Sequence, residues 1–199
     1  MKLLSVVLAL ALVPGCSFAG PLKGAIDSYL PITDTMGVFH CGATAVGKRT
    51  VVTAEHCVAP NMLVEGQVPS QIEYDGAEHA LILLPKPHGH KPAKLAHRLP
   101  QVGDTLWMVG RPADLGLIFR TGYYQGEISM PNLPSAPWRL VSFVVAGGDS
   151  GSGIYNSKNE LIGTVSIQVL PPDMFIPGWA PLGYTDYKFT AEQWKLIYK

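Results

Sequence analysis

The chain carries no surplus of charge: Lys and Arg number 15, Asp and Glu number 15, and the formal net charge is +0. That balance leaves no basic field to hold nucleic acid and no acidic tail to attract a basic partner. The apolar run from Leu3 to Val13 is shorter than the ~20 residues a helix needs to cross a bilayer. Cysteine is scarce, at 3 residues. No internal repeat, coiled coil or appended binding module is visible, so any ligand has to be argued from a local site.

What is abundant is turn chemistry, with 21 Gly and 17 Pro in 199 residues, alongside 47% hydrophobic content. This excludes an all-helical protein and suits one large or two small packed units. Residues 1–19 have the layout of an export signal: Lys2, the apolar run to Val13, the breaker Pro14-Gly15, and Ser17-Phe18-Ala19 as small-x-small before cleavage. The alternative is a buried N-terminal helix. Cys16 adds another, because Val13-Pro14-Gly15-Cys16 resembles a lipoprotein cleavage site, although its proline fits that pattern poorly. Cleavage after Ala19 leaves two cysteines, Cys41 and Cys57, an even count that suits a disulfide in a secreted or periplasmic protein. Two free buried thiols are the other reading.

From Met36 onward, short apolar runs alternate with turn residues: Gly37 to His40, Ala43 to Val46, Thr50 to Thr53 and Ala80 to Leu84. The proline- and charge-rich stretch from Pro85 to Lys94 cannot continue a central strand and reads as a surface linker. Further strands are expected at Thr105 to Val109, Gly122 to Ser129, Trp138 to Val145, Gly153 to Tyr155 and Leu161 to Val169. Thr190-Ala191-Glu192-Gln193 is a capping-box pattern that opens a short C-terminal helix. The expectation is an all-β chain in two units, residues 20–100 with the linker and residues 101–199 with the helix.

Chemistry enters with Gly147-Gly148-Asp149-Ser150-Gly151-Ser152-Gly153 and, upstream, Thr53-Ala54-Glu55-His56-Cys57. A serine hydroxyl becomes a useful nucleophile only when an imidazole takes its proton and donors receive the resulting oxyanion. These segments, with Cys41-Gly42 before the histidine, resemble the chymotrypsin-like serine proteases, in their compact bacterial or viral branch. Val102 to Pro112 is similar to the strand that opens the second barrel of bacterial members. The resemblance covers most of the chain after residue 19. It implies two six-stranded antiparallel β-barrels, a Cys41–Cys57 disulfide, His56 as general base, Ser150 as nucleophile, and the amides of Gly148 and Ser150 as oxyanion hole.

The resemblance leaves the third catalytic group open between two carboxylates. The family's aspartate opens a strand that here reads Glu78-His79-Ala80-Leu81-Ile82-Leu83, so register favours Glu78, with Asp75 the competitor. Strand alternation turns His79 to the other face, as a structural residue. In the family the base of the substrate pocket lies six residues before the nucleophile, so the resemblance implies Val144 there, without the carboxylate of a trypsin-like site; a core valine is the other reading. Ser166, Ile167 and Gln168 match the family's substrate-pairing strand. Gly20-Pro21 does not resemble the apolar N-terminus that activates digestive members, so Asp149 is expected to pair elsewhere.

His88, His90 and His97 read as solvated surface residues, and neither metal nor cofactor is expected. The implied activity is that of a secreted serine endopeptidase acting on protein or peptide. A catalytically inactive binding protein on the same scaffold is the alternative. A lipase of the nucleophile-elbow type is disfavoured, because Ser152 stands where that motif needs glycine.

Overall fold

A computed structural model describes residues 21–129, 137–168 and 182–199. The expected export signal and Cys16 lie outside the described residues. Helix α1 (Pro21–Ser28) leads into β1 (Tyr29–Asp34), β2 (Phe39–Ala45), β3 (Thr50–Ala54), β4 (Met62–Val64), β5 (Gln71–Tyr74) and β6 (His79–Leu83). These six strands pair antiparallel in the order β4-β1-β2-β3-β6-β5.

The second sheet contains β7 (Lys94–Leu95), β8 (Thr105–Gly110), β9 (Ile118–Ile128), β10 (Trp138–Val141), β11 (Gly153–Asn156), β12 (Glu160–Thr164), β13 (Ile167–Gln168) and β14 (Leu182–Tyr184). Its order is β13-β14-β10-β9-β8-β11-β12-β7. The all-β pair of units is therefore present, and the second sheet exceeds six strands through two short additions. One is β7, drawn from the expected linker, paired parallel to β12 and too short to show a periodicity; the other is β14, which no expected strand covers, whereas β13 falls inside the run expected from Leu161 to Val169.

The strands that read as continuous apolar runs are buried on both faces. In β6, Ala80 and Ile82 face the core of the first sheet, whereas Leu81 and Leu83 face a middle core shared with the second. In β8, Leu106 and Met108 face the core of the second sheet, whereas Trp107 and Val109 point into the same middle core. Trp107 stacks on Tyr155 there, with ring centroids 4.8 Å apart. Each large side chain removed from water in this layer contributes about 1.5–3 kcal/mol, which holds the two sheets together.

The C-terminal helix α2 (Ala191–Trp194) forms with its capping box: Gln193 N donates to Thr190 Oγ1 at 3.2 Å, and Thr190 N donates to Gln193 Oε1 at 2.9 Å. The following turn (Lys195–Tyr198) returns to the first sheet, burying Leu196 in the middle core and accepting a hydrogen bond from Thr50 Oγ1 at its carbonyl. Two expected strands are interrupted. The run from Trp138 keeps its alternation to Val145 but leaves the ladder after Val141. The run from Leu161 breaks at Val165, whose carbonyl accepts from Gly151 N and whose N–H donates to Ser152 O.

Cys41 and Cys57 form a disulfide with Cα atoms 6.0 Å apart, closing a loop of sequence separation 16. For a loop of that length, replacing both cysteines by serine is expected to cost about 3 kcal/mol of stability. Urea denaturation of the paired variant against the unchanged protein measures it.

Candidate active site

The histidine is placed by the end of β3. After Ala54 the chain makes one 3-10 turn, Glu55–Cys57, and two bonds fix that turn. Glu55 N donates to Glu78 O at 2.9 Å, and the disulfide ties Cys57 to β2. Glu78 ends the tight turn before β6 with φ +71°, a left-handed conformation that is uncommon outside glycine. From there its Oε2 lies 2.9 Å from His56 Nδ1. An ionised carboxylate only accepts, so Nδ1 is the donor in this bond, and in a neutral imidazole that leaves Nε2 as the acceptor. The imidazole is 43% exposed and the carboxylate 25%, so a ligand can reach the ring while the acid behind it is largely covered.

Asp75, the other candidate acid, faces away from His56. Its buried carboxylate pairs with His79 Nδ1 at 2.8 Å. Burial pushes the Asp75 carboxyl up, but the His79 hydrogen bond, the His79 charge and the backbone N–H groups of Lys188 and Ala77 together hold it below the usual carboxylate range. His79 is fully buried, as its strand position implied.

The serine loop is fixed from three sides. Gly42 N donates to Ser150 O at 2.8 Å, Gly151 N donates to Val165 O at 2.8 Å, and Ala113 N donates to Gly147 O at 2.7 Å. The last bond turns the Gly147 carbonyl toward Ala113, so the N–H of the same peptide, that of Gly148, points the opposite way. Gly148 has φ +96°, and a Cβ there would lie 2.7 Å from Arg111 O. Gly151 has φ +78°, and a Cβ there would lie 2.1 Å from both Gly42 O and Thr53 Oγ1. Only glycine fits either position. The loop thus rests on the strands that carry the histidine. Among the described residues no hydrogen bond joins Ser150 to His56.

Asp149 is fully buried and finds its partner in Arg120 of β9, whose Nη1 donates to Oδ1 at 3.0 Å. Ala146 N donates to Oδ2 at 2.9 Å. Sequence reading expected a partner for Asp149 but did not identify Arg120, which lies 29 residues away with no motif around it. Arg111 was also missed. Its guanidinium covers the Phe39 ring at 4.9 Å and pairs with Asp114 at 2.6 Å, bracing the turn that holds Gly147.

Val144 is 57% exposed, which removes the reading of it as core. Ser166 is buried and donates to Thr164 O at 3.4 Å. Ile167 and Gln168 pair with Gly183 and Leu182. Because β13 stands at the end of the sheet order, its other edge has no strand partner among the described residues.

Two of the histidines beyond the site have partners of their own. His88 is buried rather than solvated: its Nε2 bonds Gly47 O at 2.8 Å and its Nδ1 accepts from His90 N, so both nitrogens are used, and burial lowers its pKa. His90 Nε2 pairs with Glu65 at 2.6 Å. The grouping of Cys41, His56 and Cys57 offers no thiolate, because both sulfurs are in the disulfide.

No known family's sequence model matches the chain, and no curated protein matches it by sequence. Solved structures do match. An inactive form of a serine-to-alanine mutant of Rv3671c from M. tuberculosis H37Rv superposes with TM-score 0.71 at 16% identity, covering 96% of this chain and 97% of that one. The HtrA-type protease AlgW, bound to a tripeptide, gives 0.69 at 15% identity, covering 85% of this chain and 60% of that one. Kallikrein-related peptidase 10 gives 0.65 at 18%, covering 83% and 92%. The chain has the chymotrypsin-like serine protease fold, and at these identities the likeness establishes the fold alone.

Removing Arg120 leaves Asp149 buried without its cation. Arg120→Ala is expected to lower stability by about 3 kcal/mol, measured as a shift of the urea midpoint. An unchanged midpoint would show that the pair does not hold the loop.

Proposed function

We propose that the protein is an exported serine endopeptidase, with Ser150 as nucleophile, His56 as general base and Glu78 as the orienting acid. The observation that carries this reading is the 2.9 Å bond from His56 Nδ1 to Glu78 Oε2, made beside a serine loop that is docked on the same strands. It also counts against a binding-only scaffold, which has no need of an oriented imidazole. The disulfide suits a secreted or periplasmic location, and among the described residues no helix is long and apolar enough to cross a membrane.

In this mechanism the Ser150 Oγ–carbon bond forms as the hydroxyl proton passes to His56 Nε2. The oxyanion is received by the N–H groups of Gly148 and Ser150. His56 then returns the proton to the leaving nitrogen as the peptide C–N bond breaks, and an acyl-enzyme remains. Water attacks the ester carbon, gives a proton to His56, and Ser150 Oγ leaves with that proton. The charge of Glu78 stabilises the imidazolium in both halves. No cofactor takes part.

The substrate is a protein or peptide. Its backbone would add as a strand to the edge of β13, at Ile167 and Gln168, that has no strand partner among the described residues. Exposed Val144 supports a pocket base without a carboxylate, favouring a modest apolar or small polar residue before the cut over Lys or Arg.

The unchanged protein is expected to be acylated by a fluorophosphonate at Ser150, with labelling lost in Ser150→Ala, and to hydrolyse a peptide library after apolar or small residues. In Glu78→Gln, hydrolysis should fall about 10²- to 10⁴-fold. A folded, intact protein that is never acylated would refute the proposal, and a purely basic preference would refute the pocket assignment.

A further inference from the structure

Three residues outside the proposed catalytic set meet behind Glu78. Asp75 is buried and accepts four N–H groups: Ala77 N at 2.8 Å and His79 N at 3.2 Å on Oδ1, His79 Nδ1 at 2.8 Å and Lys188 N at 2.8 Å on Oδ2. His79 is fully buried, and its ring packs edge-on to Tyr187 with centroids 4.6 Å apart. Its Nε2 is buried without a partner, so the imidazole is held from the Nδ1 side alone. Thr185, also buried, donates from Oγ1 to Ala77 O. The turn between these anchors is Gly76-Ala77-Glu78, with Gly76 at φ +68° and Glu78 at φ +71°.

A left-handed glutamate persists only where its surroundings over-determine it. Here they do so on both flanks: Asp75 holds the backbone of residues 77 and 79, and the C-terminal segment around Thr185 and Lys188 closes over the turn. Resting on the reading of Glu78 as the acid, we propose that Asp75, His79 and Thr185 are positioning residues, a buried clamp that sets the Glu78 conformation and so the orientation of His56. An aspartate near the expected place of the acid then has a function without touching the imidazole.

The clamp needs a carboxylate. An asparagine at position 75 would turn its NH₂ toward one pair of N–H donors, leaving donor against donor in a buried site. Thr185→Val removes the other anchor with little change in shape.

Two readouts test this. One is the low-field Nδ1 proton resonance of His56, which reports its bond to a carboxylate whether or not the protein cuts peptides; the other is kcat/KM on a peptide substrate. Asp75→Asn, with near-UV circular dichroism still native, is expected to lose or broaden the resonance and to lower kcat/KM by roughly 10- to 100-fold, the scale of a misplaced catalytic group. Thr185→Val should act in the same direction more weakly, and it carries the test if Asp75→Asn does not fold. The double variant Asp75→Asn/Glu78→Gln should be no slower than Glu78→Gln alone, because the clamp acts only through Glu78.

Folded variants that keep the resonance and the full rate would overturn the clamp, as would losses that multiply in the double variant. A wild-type protein showing the resonance, lost in Asp75→Asn, but no hydrolysis would leave the clamp standing and refute the endopeptidase.

Discussion

Gly151 has no side chain because there is no room for one: a Cβ would fall 2.1 Å from the Gly42 carbonyl and the Thr53 hydroxyl. At this seam the two halves meet without room for a side chain, and Gly42 N donates across it to Ser150 O. The histidine turn lies on one side and the serine loop on the other. Neither half carries both groups, so any chemistry that needs both depends on the seam. The middle core of Val52, Leu81, Trp107 and Tyr155 supplies the hydrophobic force that presses the sheets together. The disulfide from Cys41 to Cys57 keeps the histidine turn beside Gly42.

Three acids around this seam divide the work by burial and partner. Asp149 is fully buried and paired with Arg120, so it anchors the serine loop through an internal cation. Asp75 is buried and saturated by N–H donors, so it anchors a turn. Glu78 remains partly exposed and directed at His56. A buried charge without a partner is costly; two of the three acids are therefore committed to structure, and one is left for the imidazole.

Much of this was legible in the sequence where a chemical requirement fixes residue types at short spacing. The cysteine-flanked histidine and Gly148-Asp149-Ser150-Gly151 are such cases, and so is the capping box at Thr190. The β6 and β8 runs were legible because burial on both faces makes them uniformly apolar. Register favoured Glu78 over Asp75, but the geometry that separates them was not legible, since it depends on backbone φ and on a hydrogen bond from Lys188 N, 113 residues from Asp75. Arg120 left no local signal, because its role is set by what faces β9 across the fold. The break in the run from Leu161 was equally hidden: Val165 spends its backbone groups on the serine loop instead of a strand.

Under the proposed endopeptidase function, the two halves assemble a site that stabilises an acyl-transfer oxyanion at Ser150. A crystal structure of the protein soaked with a peptidyl boronate tests it most directly. The expected result is a covalent bond from Ser150 Oγ to boron, one boronate oxygen within hydrogen-bond distance of the Gly148 and Ser150 N–H groups, and His56 still bonded to Glu78. An unmodified Ser150 in a well-ordered site, or an adduct whose oxygen points away from both amides, would contradict it.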